Sequence, residues 1–415
     1  MTVDYRAEAE ALRDVMIARR RDFHQHPELP FEEVRTAGIV ADALHGLGLE
    51  VRTGVGRTGV MGLLEGARDG PTVLVRADMD ALPVNEENDA PYASRTPGKM
   101  HACGHDGHTA VALAVAQMLA AHRDRMAGRV QFVFQPAEEI AGGAKAMIAD
   151  GALDLNPAAS FAVHFWSPVE TGRVAIGEGP IMAAADKFVA RVRGSGGHGA
   201  LPHETRDPVV AAAQIVVALQ SIVSRNVAPT DAAVLSVGHV RAGEGFNVIP
   251  AEAELSGTLR TFRPEVRDLL IERMEAIVTG VAAALGCEAT LEVLQLTPQV
   301  CNDPDVTAQA REAVAAALGA DALGDCVRSM VAEDMSYFMA RVPGCFMFVG
   351  SGNPRERHAL PAPPSPVRPG RGCAAHRGGG AGFGGGALRA AMTGGRPPCA
   401  GVARRNGANQ QLRRT

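Results

Sequence analysis

Through the first 180 residues the spacing of apolar positions changes repeatedly. Residues 8–24 and 36–46 repeat apolar side chains every three to four positions, which predicts amphipathic helices. Residues 60–65, 72–76, 129–134 and 160–164 are short and rich in β-branched and aromatic residues, which predicts strands. Residues 109–121 are apolar almost throughout. This run is too short to cross a bilayer and reads as a buried helix. Strands alternating with helices predict an α/β fold: a mixed, largely parallel sheet flanked by helices.

From residue 183 the order becomes strand (187–193), helix (208–224), strand (234–241), strand (252–261), helix (263–285), strand (288–294). That order suits an α+β ferredoxin-like unit inserted into the first fold. A helix and a strand (344–349) follow and rejoin the first sheet. The expected organisation is a catalytic domain over 1–182 and 298–354, an insertion over 183–297, and a distinct tail over 355–415.

The tail changes the picture of charge. It holds eleven Arg, no Lys, one acidic residue, thirteen Gly and seven Pro, a composition expected to stay disordered. The rest of the chain is acidic, so the net charge of −5 conceals opposite signs. A mildly negative protein is not expected to hold nucleic acid through phosphates. Residues 1–16 lack the apolar stretch of a secretory leader, and no membrane partner is expected. Seven scattered cysteines suggest reduced thiols and a cytoplasmic location.

The candidate chemistry gathers where strands end. Residues 100–108, Met-His-Ala-Cys-Gly-His-Asp-Gly-His, place a thiol, imidazoles and a carboxylate just before the buried helix. Asp78 and Asp80 follow one strand, Glu138 and Glu139 follow another, and His164 stands at a third. In open α/β sheets the carboxyl ends of strands form the ligand crevice. Thiolate, imidazole and carboxylate together suit a divalent ion such as zinc, manganese, cobalt or nickel. Of two adjacent glutamates, one can ligate while the other takes a proton from water. Gly54-Val-Gly-Arg-Thr-Gly59 has dinucleotide-loop spacing, but a strand follows where phosphate binding needs a helix, so a hairpin turn is expected. His198, set among glycines, is a candidate donor to an oxyanion. A thiol enzyme using Cys103 is disfavoured, since no resolving cysteine lies nearby in sequence.

Five segments occur in order: residues 76–83 (Arg-Ala-Asp-Met-Asp-Ala-Leu-Pro), 100–108, 135–139 (Gln-Pro-Ala-Glu-Glu), 197–203 (Gly-His-Gly-Ala-Leu-Pro-His) and 247–250 (Asn-Val-Ile-Pro). Over residues 5–354 the chain thereby resembles the metal-dependent amidohydrolases that include hippurate hydrolase, N-acyl-amino-acid deacylases and auxin-conjugate hydrolases. More distantly it resembles aminoacylase and carboxypeptidase G. The resemblance implies two divalent metal ions held by Cys103, His105, Glu139 and His164, with Glu138 as general base. It implies a homodimer through the inserted domain, in which His198 crosses to the partner's site. Asn247 and Arg260 are then contacts to the carboxylate of a small N-acyl amino acid.

One element of the resemblance is missing. The family carries a further histidine ligand after Gly350-Ser-Gly-Asn-Pro354, in a stretch like His-x-Pro-x-Phe-Asp-x-Asp-Glu, followed by a final helix. Neither His358 nor His376 stands in such a stretch. Codons allowed by residues 362–372, read one base later, permit His-His-His-Pro-Arg-Phe-Asp-Pro-Asp-Glu. A frameshifted reading of the gene is therefore one expectation, and a catalytically impaired relative is the alternative.

Overall fold

The computed structural model describes residues 3–353; the tail, His358, His376 and the missing ligand motif lie outside the described residues. The chain divides into two compact units. Among the described residues, one comprises those up to Ile181, Cys301–Val327 and 334–353; the other comprises Met182–Val300 and Arg328–Glu333.

The first unit is built on an eight-stranded mixed sheet. Its order is Glu50–Val55, Gly59–Glu65, Ala127–Gln135, Arg68–Asp78, Ala159–Glu170, Gly344–Gly352, Val174–Ala175 and Leu323–Gly324. The central pairings, Arg68–Asp78 with both neighbours and Ala159–Glu170 with Gly344–Gly352, are parallel. Glu50–Val55 and Gly59–Glu65 form an antiparallel hairpin, so the glycine-rich segment between them is a turn and not a phosphate loop. Helix His105–Ala121 has thirteen buried residues and packs against Arg68–Asp78 and helix Arg13–Gln25. An all-round buried helix needs the continuous apolar run seen in the sequence. The helix expected over 8–24 is two, Tyr5–Ala11 and Arg13–Gln25, although bonds from Leu12 N to Glu8 O and from Met16 N to Leu12 O span the break.

The second unit is an antiparallel four-stranded sheet in the order Ala233–Ala242, Glu252–Thr261, Ala184–Arg193, Glu288–Thr297. Helices Pro208–Asn226 and Pro264–Ala284 supply its core, which gives the ferredoxin-like arrangement. Asp207 caps the first helix by accepting from Val209 N and Val210 N, and Pro208 fills the position that needs no donor. By length and composition this helix could span a bilayer. Here Ala211, Ala212, Ile215, Leu219 and Ile222 face the sheet's core.

Candidate metal centre

Three neighbouring strands of the first unit deliver the site. Arg68–Asp78 ends on Asp78, with Asp80 two residues beyond. Ala127–Gln135 ends on Gln135 and leads into a tight turn carrying Glu138 and Glu139. His164 lies inside Ala159–Glu170, not at its end as the sequence suggested, because pairing with Gly344–Gly352 extends that strand. Its pairing with Arg68–Asp78 stops at Ala162, which frees the following residues on that side. Helix His105–Ala121 contributes its first residue. Gly104, at φ +95°, turns the chain into that helix, and a Cβ on Gly107 would meet the Phe165 ring at 2.5 Å.

Ligand atoms of Cys103, His105 and His164 lie within 4.8 Å of one another, as do those of His105, Glu138 and Glu139. Cys103 Sγ is 3.4 Å from His164 Nε2. His105 Nε2 is 3.9 Å from Glu139 Oε1 and 4.0 Å from Glu138 Oε2. The sequence-derived ligands therefore meet, and His105 belongs to both triads.

The surrounding hydrogen bonds aim these atoms. His105 Nδ1 donates to Asp80 O at 2.9 Å, and His164 Nδ1 donates to Phe165 O at 2.7 Å. A carbonyl only accepts, so the proton sits on Nδ1 and Nε2 faces the centre in both rings. Asp80 Oδ2 accepts from Glu139 N at 3.0 Å, tying the glutamate turn to the same carboxylate that lies 3.2 Å from His105 Nδ1.

A third grouping, Asp78 with His105 and His108, is of a different kind. His108 Nδ1 donates to Asp78 Oδ1 at 2.6 Å, while its Nε2 accepts from Phe165 N at 3.0 Å. Asp78 Oδ2 accepts from Arg76 Nη1 at 2.7 Å. Both ring nitrogens and both carboxylate oxygens are already engaged, so this pair supports the site from beneath. Arg76 extends the layer to Gln135 Oε1 at 2.9 Å and to Asp334 Oδ1 at 3.2 Å. Asp334 also accepts from Gln135 Nε2 and Ala144 N. Sequence reading missed Asp334 and the support role of Arg76 and His108. The only signal for Asp334 is an acid followed by a mostly apolar stretch, Met335-Ser-Tyr-Phe-Met339.

The electrostatics fit a cation. His105 Nε2 and Glu139 Oε1 are buried without a hydrogen-bond partner. Burial pushes the Cys103 thiol up and Glu139 up to about 7, outweighing the charge on His105, so neither group is held as an anion by the protein alone. Burial opposes charge on His105, yet the Asp78 carboxylate and the Asp80 hydrogen bond outweigh it and hold its pKa well above the usual range. Burial drives His164 down to about 3, which keeps its imidazole neutral and able to ligate. The four donors would hold a divalent ion in place of these protons.

The other expected site residues lie in the second unit. Exposed His198, in the short strand Gly197–His198, pairs with Val248, and Gly199 N donates to Asn247 O at 2.8 Å, so His198 and Asn247 are neighbours. Arg260, half-buried on strand Glu252–Thr261, donates to Leu259 O at 2.9 Å and to Thr258 Oγ1.

Residues 74–365 match peptidase family M20/M25/M40. The chain is 40% identical over 344 residues to N-acetylcysteine deacetylase of Bacillus subtilis, covering 83% of this chain and 90% of that one. It is 46% identical over 272 residues to N-acyl-L-amino acid amidohydrolase of Geobacillus stearothermophilus, covering 65% and 73%. Its fold is similar to that of the Bacillus subtilis YXEP protein, described as a dinuclear metal binding peptidase of family M20. The TM-score is 0.73 at 37% identity, with 82% and 90% of the two chains covered. With that likeness spread over most of its length, and a divalent-metal donor set gathered in the first unit, the chain belongs to peptidase family M20/M25/M40 as one of its amidohydrolases.

Proposed function

We propose that this protein hydrolyses the amide bond of small N-acyl amino acids, hippurate among them, with Cys103, His105, Glu139 and His164 as metal ligands and Glu138 as general base. The observation that carries the reading is the pair of donor triads sharing His105, with Glu138 in one of them and adjacent in sequence to the ligand Glu139. The relatives named for N-acetylcysteine and N-acyl amino acids support the substrate class.

A divalent cation at such a site supplies Lewis acidity, polarising an acyl oxygen and making water more acidic. The chain's own residues do the rest. Glu138 takes the proton of the attacking water and passes it to the departing amine nitrogen, so the C–N bond breaks without releasing an amide anion. Asp80 keeps His105 and the backbone of Glu139 in place. Against its burial, the charges of His105, Arg76 and His108 hold Asp78 ionised, and Asp78 in turn stabilises charge on His105.

Full-length protein supplied with Mn²⁺, Zn²⁺, Co²⁺ or Ni²⁺ should release benzoate from hippurate or acetate from N-acetyl amino acids. Glu138→Ala should lower kcat by about 10²–10⁴-fold. Absence of turnover by folded, metal-loaded protein on a broad acyl panel would sink this reading. His198 is assigned to the oxyanion, with Asn247 and Arg260 at the substrate carboxylate, across a homodimer formed by the second unit. Mixing inactive Glu138→Ala and His198→Ala proteins should then regenerate part of the activity, because each mixed dimer holds one intact site. No recovery after verified subunit exchange would refute the crossing.

The composition of residues 355–415 favours a second reading, an impaired relative lacking one ligand histidine. Resequencing genomic DNA across codons 350–375 separates the two. A shifted frame restores the motif, and a confirmed frame predicts reduced metal occupancy.

A further inference from the structure

One carboxylate outside the donor set has more structural partners near the site than its place in the sequence suggests. Glu33 precedes helix Val34–Gly46 and is fully buried. Its Oε1 accepts from Phe31 N at 3.0 Å and from Ala137 N at 2.9 Å, and its Oε2 accepts from Thr58 Oγ1. Phe31 has φ +64°, Ala137 φ +51°, and Arg57, which immediately precedes Thr58, φ +80°. These are three of the five non-glycine residues with positive φ among the described residues. L side chains resist that conformation, and it persists only where neighbouring bonds over-determine it. One carboxylate thus joins three such turns from separate parts of the first unit. The Arg57 guanidinium, 4.3 Å over the Phe31 ring, closes the group.

The third turn carries the chemistry. Ala137 opens it and Ala141, at φ +54°, closes it, with Glu138 and Glu139 between. Its far end is secured by Ala141 N donating to Glu138 O at 2.7 Å and Gly143 N donating to Ala137 O at 3.0 Å. Its near end is secured by the bond from Ala137 N to Glu33.

We propose that Glu33 is a positioning residue for the reaction: it clamps the left-handed Ala137 so that Glu138 and Glu139 face His105. The proposal rests on the roles given above to those two glutamates. It requires hydrogen-bond acceptance at the correct reach and not negative charge as such. A glutamine meets that requirement. Its oxygen accepts from both N–H groups, and its amide donates to Thr58 Oγ1, since a hydroxyl accepts as well as donates. An aspartate keeps the charge but falls one methylene short.

Cobalt titration of the full chain, followed by visible absorption including the thiolate charge-transfer band, reads the clamp without using catalysis. Glu33→Asp is expected to weaken Co²⁺ binding at least tenfold, and Glu33→Gln to stay within threefold of the wild type. Adding Ala137→Gly to Glu33→Asp should recover part of the loss, because glycine adopts positive φ without the clamp. Wild-type Co²⁺ affinity in Glu33→Asp, or equal damage in Glu33→Gln, would overturn the proposal. If Glu33→Asp does not fold, Glu33→Gln decides by the same limits: within threefold supports the clamp and a tenfold loss overturns it. A wild type that binds Co²⁺ yet hydrolyses no N-acyl amino acid would count against the proposed function while leaving this cobalt comparison intact.

Discussion

Arg76 and Arg193 each hold a carboxylate at hydrogen-bond distance, one beneath the metal centre and the other on the antiparallel sheet of the second unit. Arg76 meets Asp78 at 2.7 Å and Asp334 at 3.2 Å with its side chain 1% exposed. Arg193 meets Glu252 at 3.0 Å with its side chain 69% exposed. The chemistry is the same and the surroundings differ. Water competes for the exposed pair, and its energy is small. The buried set has no water to fall back on, so each member depends on the others and a gap leaves an uncompensated charge. Similar ion-pair geometry therefore marks a rigid support in one place and a solvated surface in the other.

That contrast breaks most easily at Asp334. Asp334→Ala should cost about 3–5 kcal/mol of folding free energy by taking one of two carboxylates from Arg76 and the acceptor from Gln135 Nε2 and Ala144 N, measured by urea unfolding. A loss near 1 kcal/mol would mean that the buried layer relaxes or hydrates. A smaller effect should come from pH. Burial lowers His101 to about 4, and neither of its ring nitrogens has a partner. Below its ordinary pKa of 6.5 the unfolded chain binds the proton that the folded chain refuses, so stability falls as pH drops from 6.5 to 4. The metal-free wild type should lose about 3 kcal/mol over that range relative to His101→Leu, which has nothing to titrate there. Parallel pH curves for the two proteins would contradict the burial argument. The smallest change is expected at the surface: Arg193→Ala should shift stability by less than about 1 kcal/mol, and added salt should shrink the difference further.

What could be read from the sequence divides along similar lines. Cys103 and His105 are adjacent, chemically distinctive and set before an apolar helix, so local pattern reveals them. Glu138, Glu139 and His164 become visible once the β-rich runs are recognised, because a parallel sheet brings successive strands to one crevice. Asp334 and Glu33 have no such local mark. Asp334 reaches the layer across 258 residues from Arg76, and Glu33 reaches Ala137 across 104. Only the folded chain shows that these acids are buried with satisfied partners. The left-handed backbone at Ala137 is equally silent, since alanine carries no turn signal of the kind glycine or asparagine would give.

The placement of the proposed ligands along the chain has a consequence for refolding. Cys103 and His105 are separated by one residue, so a denatured chain still presents them as a short chelate. Glu139 and His164 join them only when the strands assemble. Metal added during refolding therefore captures the unfolded ensemble as well as the native one, and stabilises folding only by the difference between the two affinities. Unfolding midpoints should climb with metal concentration less steeply than full native affinity implies, and removing the short chelate with Cys103→Ser should weaken both arms of that equilibrium together.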